Sequence, residues 1–161
     1  MTATRQTGAV ELGVFEQAAD AVHALVRDDL GTLRTQARRW GLKAWFDAEA
    51  CPREHYEAQV VGAQHVPGAK VLAIEVGFHA EHPKAADNAA AFAAVDRAED
   101  TWRQELGDPA ERGPFLGRRG WLRLSETWDD PDLDDPELCF EVADRLAAYL
   151  NTIEPLRRSR P

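Results

Sequence analysis

Two short segments carry the residue types that site chemistry needs: HYEAQ at 55–59 and EVGFHAE at 75–81. Imidazole and carboxylate groups ligate divalent Zn, Fe or Mn. The same groups hold polar ligands through charge-assisted hydrogen bonds. Read as a strand, residues 71–82 put Leu72, Ile74, Val76, Phe78 and Ala80 on one face and Glu75, Gly77, His79 and Glu81 on the other. The first segment likewise sets Tyr56, Ala58 and Val60 against His55, Glu57 and Gln59. If the two strands pair with their faces aligned, His55, Glu57, Gln59, Glu75, His79 and Glu81 share one polar surface. Arg123 and Ser125 join it if a third strand lies alongside. Within that surface His55, Glu75 and His79 are the candidate metal ligands. Gly77 at its centre points to a close backbone approach or a bulge.

Other motifs are less specific. His79 and His82 are three positions apart and face opposite ways on a strand, unlike the helical four-residue spacing of a zinc-protease pair. Asp130, Asp132, Asp134 and Glu141 match carboxylate positions of a calcium loop, but Asp135 stands where that loop needs glycine and Pro136 follows. Helix capping explains those residues better. The loop GPFLGRRG at 113–120 has glycines and cations but no lysine, and it precedes a strand, so it is not a P-loop. Cys51 and Cys139 have no partner at metal-ligand spacing, and Cys139 is expected to be a small buried apolar group.

The elements that must position these residues follow from hydrophobic period. An amphipathic helix is predicted over residues 10–30, stopped by Gly31, and a second short helix over 32–41 from Leu33, Ala37 and Trp40. Strands follow at 55–61 and 70–81, joined by a Gly- and Pro-containing hairpin loop. A helix is expected from Pro83 to Gly107, a loop over 107–120, and a third strand over 121–128. The last helix is capped by Asp135 and Pro136 and ends at Pro155. The resulting order is α-α-β-β-α-β-α: an α+β fold with an antiparallel sheet of about three or four strands and helices on one face. We expect one domain over 1–161, with a loose tail at 1–10 and a basic tail at 156–161.

A chain of 161 residues with 44% apolar and 29% charged residues suits one soluble globular domain. With no long apolar run and no leader pattern, a cytoplasmic location and no membrane association are expected. A net charge of −9 argues against nucleic acid, because the short basic clusters are dispersed in sequence. The expected function is a non-catalytic binding or interaction module, engaging a small polar ligand or a protein partner through the uncovered sheet face. Tyr56, Trp121 and Trp128 are its aromatic contact candidates. The alternative is a metal-dependent hydrolase using His55, Glu57, Glu75, His79 and Glu81 as ligands and base. No cofactor is required by the first reading; a divalent metal is required by the second. Pairing of a sheet face or edge with a second copy would give a homodimer.

Overall fold

Period-two alternation builds most of this molecule. The computed structural model describes residues 7–159, with side chains from residue 13 onward. In chain order the elements are α1 (Thr7–Leu25), β1 (Leu33–Arg38), β2 (Gly41–Phe46), β3 (Glu54–Gly62), β4 (Leu72–Ala80), α2 (Ala85–Arg97), α3 (Glu99–Leu106), β5 (Glu111–Pro114), β6 (Leu122–Asp129) and α4 (Leu138–Arg158). The strands form one antiparallel sheet in the order β1-β2-β3-β4-β6-β5. No helix among the described residues is long and apolar enough to cross a membrane.

One face of the sheet is apolar, and the helices pack on it. Leu42, Ala44, Tyr56, Ala58, Ile74, Val76, Phe78, Ala80 and Leu124 are fully buried there, against Phe15, Val22, Leu146, Leu150 and Ile153 of α1 and α4. Phe78 sits at the middle, its ring 5.2 Å from that of Tyr56 and 5.1 Å from that of Phe92 on α2. The α+β architecture with helices on the apolar face is therefore as the sequence predicts.

Several expectations are corrected. The sheet has six strands rather than three or four. Residues 32–41 form no helix: Leu33, Thr35 and Ala37 alternate with exposed Arg34, Gln36 and Arg38 as the edge strand β1, paired to β2. Leu33 and Ala37 satisfy both a strand period and a helical spacing, and the Arg39-Trp40 turn carries none of the Gly or Asn that marks a tight hairpin. Residues 111–114, inside the expected loop, pair along β6 as a short edge strand that tolerates Pro114. The helix expected from Pro83 to Gly107 begins at Ala85 and breaks at Ala98, where the Trp102 indole donates to the Val95 carbonyl. Gly107, at φ 80°, does end it.

The termini differ as well. Thr7–Leu25 is one helix, so residues 7–10 of the expected tail are ordered in α1, while 1–6 lie outside the described residues. That helix ends at Leu25 rather than Gly31, because Asn151 of α4 donates to the Leu25 carbonyl and accepts from the Arg27 amide. The last helix starts at Leu138 and runs through Pro155 to Arg158; residues 160–161 are outside the described set. Arg157 and Arg158 are not a free basic tail, since both pair with Glu154 and Arg157 also reaches Glu54. Asp130 is no calcium ligand in waiting: its carboxylate accepts the amides of Lys70, Val71 and Leu72.

Truncating Phe78 to Ala removes the ring that joins Tyr56, Phe92 and the sheet. We predict a loss of about 3–5 kcal/mol of unfolding free energy in a urea titration. A loss under about 1 kcal/mol would mean that this packing is not what holds the helices to the sheet.

Candidate functional site

The polar face of the sheet is set by one register. In the β3–β4 pair His55 lies opposite His79, Glu57 opposite Gly77, and Gln59 opposite Glu75. In the β4–β6 pair His79 lies opposite Arg123 and Gly77 opposite Ser125. Each central strand thus presents a His-x-Glu step, His55 with Glu57 and His79 with Glu81. The antiparallel direction sends the two glutamates to opposite sides of the histidine pair. Glu81 is fixed by its amide, which donates to the Arg53 carbonyl and extends the ladder by one step. A register slip of one residue would send the whole set to the other face.

This face is not the solvent-exposed surface that the alternation suggested. His79 and Glu75 are 0% exposed, His55 1%, Glu57 and Arg123 7%, and Glu81 9%. The cover comes from the β5–β6 hairpin loop, whose Phe115 ring stands 4.8 Å from the His79 ring and 5.3 Å from Trp121. Gly117 of that loop rests on the His65 ring, so the β3–β4 connection closes the same side. Gly77 is explained by its neighbour strand. A Cβ there would lie 2.3 Å from the Leu124 carbonyl oxygen and 2.5 Å from Ser125 Cα.

The donor atoms converge. One ligand atom from each of His55, Glu57, His79 and Glu81 can be chosen so that all lie within 4.8 Å of one another. Glu57 Oε2 is 3.2 Å from His55 Nε2 and 3.4 Å from His79 Nδ1. Glu81 Oε1 is 3.6 Å from each of those nitrogens. A tetrahedral ion with ligand bonds of about 2.0–2.2 Å has ligand–ligand edges of about 3.3–3.6 Å. The four His–Glu separations lie near that value, and the remaining pairs lie within 4.8 Å.

The outer nitrogens are held in the way that metal-bound imidazoles are held. His55 Nδ1 lies 2.9 Å from the Pro52 carbonyl, which can only accept, so Nδ1 carries the proton and Nε2 faces the carboxylates. His79 Nε2 lies 3.1 Å from Glu75 Oε1, leaving Nδ1 for the cluster. That contact is close but poorly directed, and neither ring nitrogen of the fully buried His79 makes a hydrogen bond of good geometry. Glu75 is otherwise saturated: Gln59 donates to Oε1 at 2.8 Å and Ser125 donates to Oε2 at 2.8 Å. Arg123 in turn donates to Ser125 Oγ, to the Pro114 carbonyl and to Glu111. Glu75, expected as a ligand, therefore stands behind His79 as an orienting carboxylate. Gln59 and Arg123 serve that carboxylate, and Gln59 also lines an open cleft.

Protonation states express the same crowding. Burial alone would lower His55, but hydrogen bonds to Cys51 and Glu57 and the charge of Glu81 raise it to about 9. His79 is likewise held well above its ordinary value against its burial, first by the Glu75 charge. Burial would raise Glu57, yet its contacts with His55 and His79 bring it down to about 2; Glu75 falls to about 2 against its burial, chiefly through the His79 charge. Buried carboxylates at this density need positive charge beside them. Without metal, the imidazoles must be imidazoliums to supply it.

Other sequence candidates sit elsewhere. His82 pairs with Glu54 at 2.7 Å away from the cluster, as its strand parity requires. Tyr56 is no aromatic contact surface: it is buried on the apolar face and donates to Glu154. Trp121 and Trp128 are half-buried, Trp121 under Arg118 and Trp128 donating to Glu126. What the sequence reading missed is the pair of His-x-Glu steps as a unit, the Pro52 carbonyl, and the cover by Phe115.

Comparison with protein-family models, with curated proteins and with solved structures returned no match.

The raised His55 pKa links to stability with a definite sign. In the metal-free protein its contribution is full below pH 6.5 and is lost as pH rises through about 9. The depressed Glu57 and Glu75 contribute above pH 4.5 and lose that contribution as pH falls toward 2. We predict that the melting temperature of metal-free protein falls between pH 6.5 and 9, and that His55→Gln flattens that fall. An equal slope in both proteins would contradict this electrostatic picture.

Proposed function

We propose that this protein binds one divalent transition-metal ion, zinc in the first instance, through His55 Nε2, His79 Nδ1, Glu57 and Glu81. The observation that carries the reading is the buried His79 ring without a well-formed hydrogen bond, in a four-donor set whose His–Glu separations are 3.2–3.6 Å. Two imidazoles with two carboxylates suit Zn, Fe or Mn. Exchange of two imidazolium protons for one divalent ion leaves the charge of the buried cluster unchanged, so metal uptake should strengthen as pH rises. Both cysteines are free, which suits a cytoplasmic setting.

The ion would make the polar face a site for a small polar ligand, the role that alternation first suggested. One observation favours reactivity over a sealed structural metal: Glu57 forms part of the wall of an open cleft of about 300 Å3. An ion that expands from these four donors to a fifth, oxygen ligand acts as a Lewis acid on it, which keeps the hydrolase reading as a second candidate.

Elemental analysis of tag-free protein purified without chelator, and calorimetric zinc titration of the protein after chelator stripping, test the first reading. We expect close to one zinc per chain, abolished in folded His79→Ala or His79→Gln. In Glu75→Gln the stoichiometry should hold while affinity falls roughly ten- to a hundredfold, as for other orienting partners of ligand histidines. Absence of binding, or binding that survives both His79 variants, would refute it. Turnover of simple ester or phosphoester substrates by the loaded protein, lost with His79→Gln, would favour the hydrolase.

A further inference from the structure

The cleft beside the cluster is the least expected feature of an acidic chain. It opens over β1, β2 and β3, and its wall includes Gln36, Arg38, Lys43, Glu57 and Gln59. The ladder sets these residues in two adjacent lanes. Gln36, Lys43 and Glu57 are opposite one another across three strands, and Arg38, Gly41 and Gln59 are opposite one another in the next lane. In the second lane Gly41 lets β3 pass close, since a Cβ there would meet the Ala58 carbonyl and Gln59 Cβ at 3.2 and 3.3 Å. The net charge of the chain is −9, yet the outer part of this cleft is lined by cations. At its inner end stands Glu57, one of the four cluster residues.

We propose that this cleft binds a small oxyanion, the carboxylate or phosphate group of a small molecule, with Lys43 and Arg38 holding its charge and its inner oxygen toward the Glu57 side of the cluster. The proposal rests on the metal reading for what lies at the inner end. Lysine serves phosphate or carboxylate as a point charge, and the arginine fork adds paired donors. The volume is at the lower end of ordinary small-ligand sites, which fits a single charged group with a short body rather than a polymer. Exchange of two imidazolium protons for the ion leaves the charge of the cluster as it was, so the coupling is one of coordination. An ion reached from the Glu57 side can take the inner oxygen as a further ligand, which the protonated cluster cannot. Oxyanion binding is therefore coupled to metal loading.

Acetate and methylphosphonate, a small carboxylate and a small phosphonate, are titrated calorimetrically into metal-free and zinc-loaded protein. The same titrations use Lys43→Ala and Arg38→Ala; zinc affinity is measured in each, because Lys43 stands opposite Glu57. Saturable binding to the loaded protein, weaker without zinc, is expected for at least one probe, and the probe that binds identifies the group. Losing either cation should weaken it roughly tenfold, with zinc affinity within about threefold of the parent. No binding of either probe to loaded protein, or binding unchanged in both variants, overturns the cleft while leaving the metal reading intact. If zinc does not bind but a probe still binds through Lys43 and Arg38, the cleft stands and the metal reading falls. If neither binds, both fall.

Discussion

Three carboxylates and two imidazoles withdrawn from water on one sheet face are the constraint around which this molecule is organised. The glutamates at 57, 75 and 81 are all nearly inaccessible, and desolvated anions persist only beside positive charge. The β3–β4 pairing supplies it by bringing His55 opposite His79, with Arg123 behind them through Ser125. Everything that fixes that register is therefore also part of the site. The close approach of β6 at Gly77 belongs to it, as does the continuation of the ladder from Arg53 to Glu81.

The two faces of the sheet divide the labour. The helices and the Tyr56–Phe78–Phe92 packing hold the strands in place from one side. The other side spends that stability on charges that a core would not otherwise tolerate. The cover is thin: a hairpin loop carrying Phe115 and Trp121 on one flank, and the open cleft over β1–β3 on the other. The donor set is enclosed at His79 and borders the open cleft at Glu57.

Much of this was legible in the sequence, and the illegible parts have physical causes. Strands β3 and β4 show strict alternation, and a Gly- and Pro-containing connector separates them, so His55, Glu57, Gln59, Glu75, His79 and Glu81 could be placed on one face. Alternation says which side chains share a face but not what folds over it, so the burial of that face depended on Phe115 in a segment without periodicity. The β1–β2 hairpin was hidden because Leu33 and Ala37 fit two periods at once. With it went Arg38, Gly41 and Lys43, which make sense only as lanes of a ladder. The break at Ala98 has no Pro or Gly to announce it; a tertiary hydrogen bond from Trp102 marks the spot. The role of Glu75 behind His79, rather than beside it, depends on side-chain directions that spacing does not encode.

A metal centre built from His55, His79, Glu57 and Glu81 is tested by X-ray absorption spectroscopy of the zinc-loaded protein. The spectrum should show a four-coordinate first shell of nitrogen and oxygen at about 2.0–2.2 Å. Multiple scattering should come from two imidazoles and fall to one in His55→Gln. A sulfur shell, a hexa-aqua spectrum, or imidazole scattering unchanged in that variant would contradict it.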